Sequence, residues 1–289
     1  MKKLRKLLRK IDSDPRPDQV HDLRTNIRRF EAACEALVLE DAGVPKSVFR
    51  ELDSLRKRAG KVRDMDVLTE FASAIRPKDE PECHVRLLEH LGARRQKEAA
   101  KLCAAVRRHR RKMRKKLGRA FSRITSLVRE KGTAAVRSAA ANATAAASRL
   151  SAELAVPTQL NKRNLHPYRL KVKELQNILL MAEAPSRPRF VEDLGDVKDA
   201  IGEWHDWEEL VEIGSEVLDH DGKCFLRAEL KRIAERKYEH SLGLAHKLIR
   251  SYLPTSQPKK KTPLQRVFLV LLSWRQLPSS LAEGRTKDQ

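Results

Sequence analysis

Two short segments of this chain carry the same kinds of side chain at the same spacing. The first is His21-Asp22-Leu23-Arg24-Thr25-Asn26-Ile27-Arg28, followed by Arg29; the second, 145 residues later, is His166-Pro167-Tyr168-Arg169-Leu170-Lys171-Val172-Lys173. A downstream pair follows: Arg56, Gly60, Arg63 and Asp64 align with Lys198, Gly202, His205 and Asp206 at a shift of 142. Literal identity is low, but spacing and charge type recur, which points to duplication. Imidazole, guanidinium and ammonium groups together suit the binding of an anion. Arg offers paired donors, Lys a mobile point charge, and His a charge that changes near neutral pH.

Helical geometry sorts these residues by face. At about 100° per residue, Arg24 and Arg28 lie within roughly 60° of His21, while Leu23, Ile27, Phe30, Cys34 and Leu37 lie on the opposite side. The second segment repeats this, with His166, Arg169 and Lys173 facing away from Tyr168, Val172, Leu175 and Leu179. Both histidines are expected in a first helical turn, where free N–H groups and the positive dipole end favour anions. A lone histidine there is most often a plain surface residue; two with the same basic companions make a stronger case.

Other chemistries fare worse. His21-Asp22 and His205-Asp206 resemble the His-Asp pair of metal phosphohydrolases, but neighbours on a helix diverge by about 100°, and no further ligand set is evident. No catalytic residue, metal or cofactor is expected. Cys34, Cys83, Cys103 and Cys224 show no CxxC and no paired spacing, which suits free thiols in a reducing, cytoplasmic setting. Cys83-His84 lacks a second ligand pair.

The elements that must position these residues are helical throughout. Periodicity and breakers predict helices over 2–12, 18–40, 46–75, 81–131, 133–155, 164–185, 189–218 and 223–253. Gly132 is read as the break between the fourth and an alanine-rich fifth, and Asn164 as the N-cap of the sixth. Two runs of four helices result: a first half over 1–132, a second over 133–253, and a tail over 254–289 expected to be partly disordered.

Composition agrees. Of 289 residues only three are Trp, three Tyr and seven Phe, too few aromatic and β-branched side chains for an all-β fold. No 18-residue apolar run exists, the longest being Val267 to Leu272, so no membrane span is expected. The N-terminus begins like an export signal but lacks its apolar block. Leu4, Leu7, Leu8 and Ile11 instead form one helix face, read as part of the first half rather than as a membrane anchor. Membrane docking is kept only for the tail around Lys259–Lys261.

The net charge is +22, and it is concentrated. Residues 94–131 hold 16 Lys/Arg against 2 Asp/Glu, and Arg107 to Arg119 holds nine basic residues in thirteen. Charge runs usually alternate in sign on a solvated face; this one does not. It calls for a polyanionic partner: nucleic acid, an anionic membrane or a phosphate polymer.

The pattern H-x-x-R-x-x-x-[RK] followed by G-x-x-[RHN]-D, used twice in a basic helical chain, resembles the CHAD family (conserved histidine α-helical domain), over roughly residues 1–253. The resemblance implies an all-α fold of two four-helix bundles related by a pseudo-two-fold, with a basic central groove or pore that binds inorganic polyphosphate. It implies His21, Arg24, Arg28, His166, Arg169 and Lys173 as the phosphate-facing set, flanked by Arg29, Arg56, Arg63, Lys198 and His205. It gives Gly60 and Gly202 the role of allowing close helix crossing, and Asp64 and Asp206 that of orienting neighbouring cations. The chain departs from the family where further basic residues are usual, at Glu31, Glu174 and Gln176, and where His205 replaces an asparagine. Some members carry an upstream triphosphatase domain. No room for one precedes His21, so no activity is carried over.

Polyphosphate offers about one charge per phosphate and no base to read, and the expected track has few aromatics for base stacking. The expected function is therefore non-catalytic polyphosphate binding, strongly salt-dependent and tighter as pH falls from about 8 to about 6, in the cytoplasm and at polyphosphate granules. The alternative is a basic helical protein that binds nucleic acid non-specifically, although no recognition motif is visible. Whether the Arg107–Arg119 run lines the groove is left open by the sequence.

Overall fold

The computed structural model describes residues 2–11, 14–36, 45–76, 81–155, 159–181, 188–218 and 224–253, with backbone alone for 2, 32–36, 124, 127, 128 and 130–140. The expectations for Cys34 and Leu37, and the tail over 254–289, fall outside the described side chains. All regular structure among the described residues is helical: α1 (Lys2–Lys10), α2 (Pro17–Ala36), α3 (Lys46–Ala74), α4 (Pro81–Ala155), α5 (Leu165–Met181), α6 (Pro188–Val217) and α7 (Phe225–Tyr252).

One expected boundary is absent. Gly132 does not end a helix; α4 runs through it for 75 residues. An interior glycine costs only about 1 kcal/mol against alanine, and the alanine-rich stretch that follows is the best of helix formers.

The chain divides into two compact units. One comprises Met1–Ala141 with Gly202–Glu239, the other Asn142–Ile201 with His240–Gln289. The packing units are thus discontinuous in sequence, whereas the division into halves at 132 follows the repeat.

In the first unit Leu4, Leu7, Leu8 and Ile11 share one core with Leu23 and Ile27 of α2, Leu52 and Val62 of α3, and Leu102, Met113 and Leu117 of α4. A nine-residue helix is marginal in water. Burial of α1's apolar side chains, at roughly 2 kcal/mol each, holds it in place and leaves no apolar face for a membrane. A second core joins Met65 and Leu68 of α3, Leu87 and Leu91 of α4, Trp207 and Leu210 of α6, and Leu226 and Leu230 of α7. Phe71 stacks on Trp207 there, ring centroids 4.9 Å apart.

In the second unit the buried side chains include Leu150 and Leu154 of α4, Leu165, Tyr168, Val172 and Leu175 of α5, Leu194 and Val197 of α6, and Ala245 and Leu248 of α7. Tyr252 donates to the Asp193 carboxylate at 2.6 Å, tying α7 to α6.

Candidate functional site

The predicted facing of α2 is realised. Val20, Leu23, Ile27 and Phe30 are buried, while His21 and Arg29 are exposed and Arg24 and Arg28 half-buried. The helix starts at Pro17, so His21 is its fifth residue and stands one turn beyond the free N–H groups. The expectation of a first-turn site fails here because Pro17, favoured at the first helical position, starts the helix earlier. Asp22 turns to Lys3, 3.1 Å away, and His21 Nε2 lies 3.5 Å from the Thr25 hydroxyl. The His21-Asp22 pair therefore does not converge.

Arg24 reaches across to α3. Its Nε lies 3.9 Å from where a Cβ on Gly60 would stand, an ordinary contact distance, so the guanidinium lies against α3 there without requiring a glycine. One turn on, half-buried Asp64 faces Arg24 and His205 together with the carboxylates of Glu209 and Asp206. Burial above all, then the two carboxylates, pushes the Asp64 carboxyl up to about 6, against the pull of Arg24 and His205. Residues from both copies of the motif thus meet within the first unit: Arg24 and Asp64 from the first, His205 and Asp206 from the second. His205, exposed on α6, stands beside the first stripe's Asp64. Arg63 is half-buried on α3.

Arg56 is held by two carboxylates, Glu31 at 3.0 Å and Asp53. Glu31 was a departure from the family pattern, and here it occupies one of the expected flanking cations. Burial raises its carboxyl above the usual range, opposed by Arg56 and Arg28.

In the second unit, Arg169 donates through Nε to the Lys198 carbonyl at 2.9 Å. Lys198 Nζ donates to Gln176 Oε1 at 3.2 Å, and Gln176 Nε2 donates to the Val191 carbonyl at 3.1 Å. His166 and Lys173 are half-buried on α5. Sequence reasoning missed Gly195: a Cβ there would stand 2.7 Å from Gln176 Nε2, so this glycine admits the Gln176 side chain. A glycine inside a predicted helix was the available signal. The expected N-cap is also modified. The Asn164 carbonyl accepts from the Tyr168 N–H at 3.0 Å and so opens the helix, and the Leu165 N–H is taken by the Asn161 carbonyl at 3.0 Å. The Asn164 side-chain oxygen turns back to the Asn161 N–H at 2.8 Å. With Pro167 having no N–H, few first-turn donors remain for an anion beside His166.

The Arg107–Arg119 run meets partners on other helices. A cavity of about 430 Å³ is lined by Arg50 and Arg58 of α3 and Lys101, Arg108 and His109 of α4. Its one carboxylate, Glu51, is held by Lys116 at 2.5 Å. A depression of about 700 Å³ is lined by Arg5 of α1 and Arg114, Lys115, Arg119 and Arg123 of α4, with no acid among the described residues that line it. The run on α4 was legible in the sequence; Arg5, Arg50 and Arg58 were not, because they join it only in space. Arg95 has a structural role, bonding Asp66 at 2.7 Å and the Pro15 carbonyl at 2.8 Å.

Among the described residues no three His, Cys, Asp or Glu side chains are grouped to hold a metal ion, and no helix is long and apolar enough to cross a membrane. Cys83 is half-buried, and Cys103 and Cys224 are buried.

The family model for the CHAD domain matches residues 1–214. The fold is similar to that of the crystal structure of the CHAD domain from the plant Ricinus communis. The match has a TM-score of 0.55 at 15% identity and covers 94% of this chain and 87% of that one. No curated protein matches the chain. The sequence motifs, the helical architecture and the family match agree: the chain belongs to the CHAD domain family.

Proposed function

We propose that this CHAD domain binds inorganic polyphosphate, without turning it over, through its two histidine-bearing cationic stripes. The phosphate-facing set is His21, Arg24, Arg28, His166, Arg169 and Lys173, with Arg29, Arg56, Arg63, Lys198 and His205 beside it. The observation that carries this is the guanidinium of Arg24, half-buried beside Gly60 of α3, on the polar side of a helix whose other side is core. A half-buried guanidinium loses less freedom on binding than a fully exposed one and offers planar paired donors to phosphate oxygens. The cation-lined cavity between α3 and α4 supports the same reading by raising the local positive potential. That the stripes share a groove between two duplicated bundles, and that the protein works in the cytoplasm at polyphosphate granules, are parts of the same proposal. They rest on the family resemblance.

Calorimetric titration with long-chain polyphosphate tests it. The triple change His21→Ala, Arg24→Ala, Arg28→Ala should weaken binding at least about tenfold, roughly 1.4 kcal/mol. Undiminished binding by the triple variant overturns the assignment of this face. Metal-dependent release of orthophosphate by the wild type overturns the non-catalytic reading. Non-specific nucleic-acid binding is the rival for the same charges; polyphosphate should displace duplex DNA at lower phosphate concentration than the reverse.

A further inference from the structure

Most described aromatic rings that approach another ring do so within the fold: Phe30 with Phe49, Phe71 with Trp207, Phe190 with Tyr252, and Trp204 with Tyr238. Phe121 is different. It is 47% exposed and lines the acid-free depression on α4 together with Arg5, Arg114, Lys115, Arg119 and Arg123. A single exposed phenylalanine needs no explanation. One set among five cations with no carboxylate combines a π-face with a phosphate-attracting surface.

The geometry points to a binding site for single-stranded nucleic acid in the α1–α4 depression, one base stacking on Phe121 and its neighbouring phosphates on Arg119, Arg123 and Arg5. Charge alone would serve any polyanion. The aromatic face adds what a base requires and a phosphate polymer cannot use, and stacking of this kind is tolerant of sequence. Lining residues run from Arg114 to Ser126, about 18 Å of helix at 1.5 Å per residue. Gly118 opens the floor, since a Cβ there would meet nothing within 4 Å. An anionic membrane fits less well, because Phe121 is the sole large apolar group lining the depression among the described residues and the leucines of α1 are committed to the core. This site does not involve His21, Arg24 or Arg28 and stands independently of polyphosphate binding at the stripes.

The test measures binding of fluorescent twelve-nucleotide oligouridylate and oligothymidylate in separate arms, with long-chain polyphosphate as control, at about 150 mM salt, where non-specific binding is weakened. The two arms separate RNA from DNA as the source of the ligand; binding in either supports the site. Phe121→Ala should weaken single-strand binding about tenfold, Phe121→Trp should restore it, and polyphosphate affinity should be unchanged in both. Gly118→Leu, which meets open space and removes a helix-interior glycine, should fold and also block the single strand. It carries the test should Phe121→Ala not fold. The proposal is overturned by wild type that ignores both oligonucleotides, by Phe121 and Gly118 variants that bind them as wild type does, or by equal losses for polyphosphate. Phe121-dependent capture of phosphatidylserine vesicles without oligonucleotide binding overturns it in favour of a membrane.

Discussion

Arg56 Nε lies 3.0 Å from the Glu31 carboxylate, and the same two repeat positions meet again in the second unit as Lys198 and Gln176, 3.2 Å apart. The shifts of 145 and 142 carry Glu31 to Gln176 and Arg56 to Lys198, so a cross-helix contact recurs with its charge pattern changed. This supports a common origin of the two segments more directly than their low identity does. The partners differ: the first cation is held by two carboxylates, Glu31 and Asp53, while the second is held by the Gln176 amide and the exposed carboxylate of Asp199 at 3.3 Å.

Glu31→Gln should therefore leave Arg56 with Asp53 as its remaining carboxylate, more available to an anion, while keeping a contact of the second-unit type. Both side chains are about a quarter exposed, and ion pairs near a surface contribute about 1 kcal/mol or less. Polyphosphate affinity should rise about two- to fivefold, and Gln176→Glu should lower it similarly; titration of the three proteins side by side reads both. Glu31's carboxyl is raised chiefly by burial, so its charged form is disfavoured in the fold at neutral pH. Stability linked to it is present below the unfolded carboxylate pKa and lost as pH rises through the folded value. The glutamine variant should accordingly melt no lower than wild type at pH 7.

Gly60 and Gly195 should respond differently to alanine. At Gly60 the added Cβ would sit 3.9 Å from Arg24 Nε, an ordinary contact, and alanine improves an interior helix position by about 1 kcal/mol. Gly60→Ala should raise Tm by a few degrees with little effect on binding. At Gly195 the Cβ would stand 2.7 Å from Gln176 Nε2, so Gln176 must swing away and lose its bonds to Val191 and Lys198. Those losses, about 1 kcal/mol each, cancel the propensity gain. Gly195→Ala should not raise Tm, and it should release Lys198. Thermal melts of the two variants against wild type check the contrast.

The contrast between Gly60 and Gly195 also marks what the sequence could convey. Gly60 sits in a recognisable motif and was expected to allow close crossing, yet a Cβ there would make only an ordinary contact; Gly195 sits in no motif, and there the Cβ would collide. Facing was legible because 3.6-residue periodicity fixes which side of α2 and α5 is apolar, and Leu23, Ile27, Val172 and Leu175 are buried as expected. Helix starts were less so. Pro17 took the first position of α2, and the Asn161–Asn164 turn used donors that α5 was expected to offer. Gly132 was over-read as a break because local propensity of the alanines outweighed one glycine. The partners of the α4 charge run, Arg5, Arg50 and Arg58, belong to tertiary packing, which no periodicity encodes. Nor does it encode the placement of His205 beside Asp64.

That placement sets a pH response. Asp64 faces Arg24 and His205 as cationic partners and Asp206 and Glu209 as carboxylates, and burial with those carboxylates lifts its carboxyl from 3.8 to about 6. Because the folded value lies above the unfolded one, the linked stability is complete below about pH 4 and disappears as pH rises through 6. At pH 7 the charged Asp64 disfavours the fold by about 3 kcal/mol, with the pull of Arg24 already included. Asp64→Asn should thus melt like wild type near pH 4 and increasingly above it toward pH 7; a difference in Tm that does not grow over that window would contradict the placement. Binding should follow the same titration. Protonating Asp64 removes a negative charge beside Arg24, so wild-type affinity for polyphosphate should rise as pH falls from 7 to 5.5. In Asp64→Asn that part of the rise should vanish.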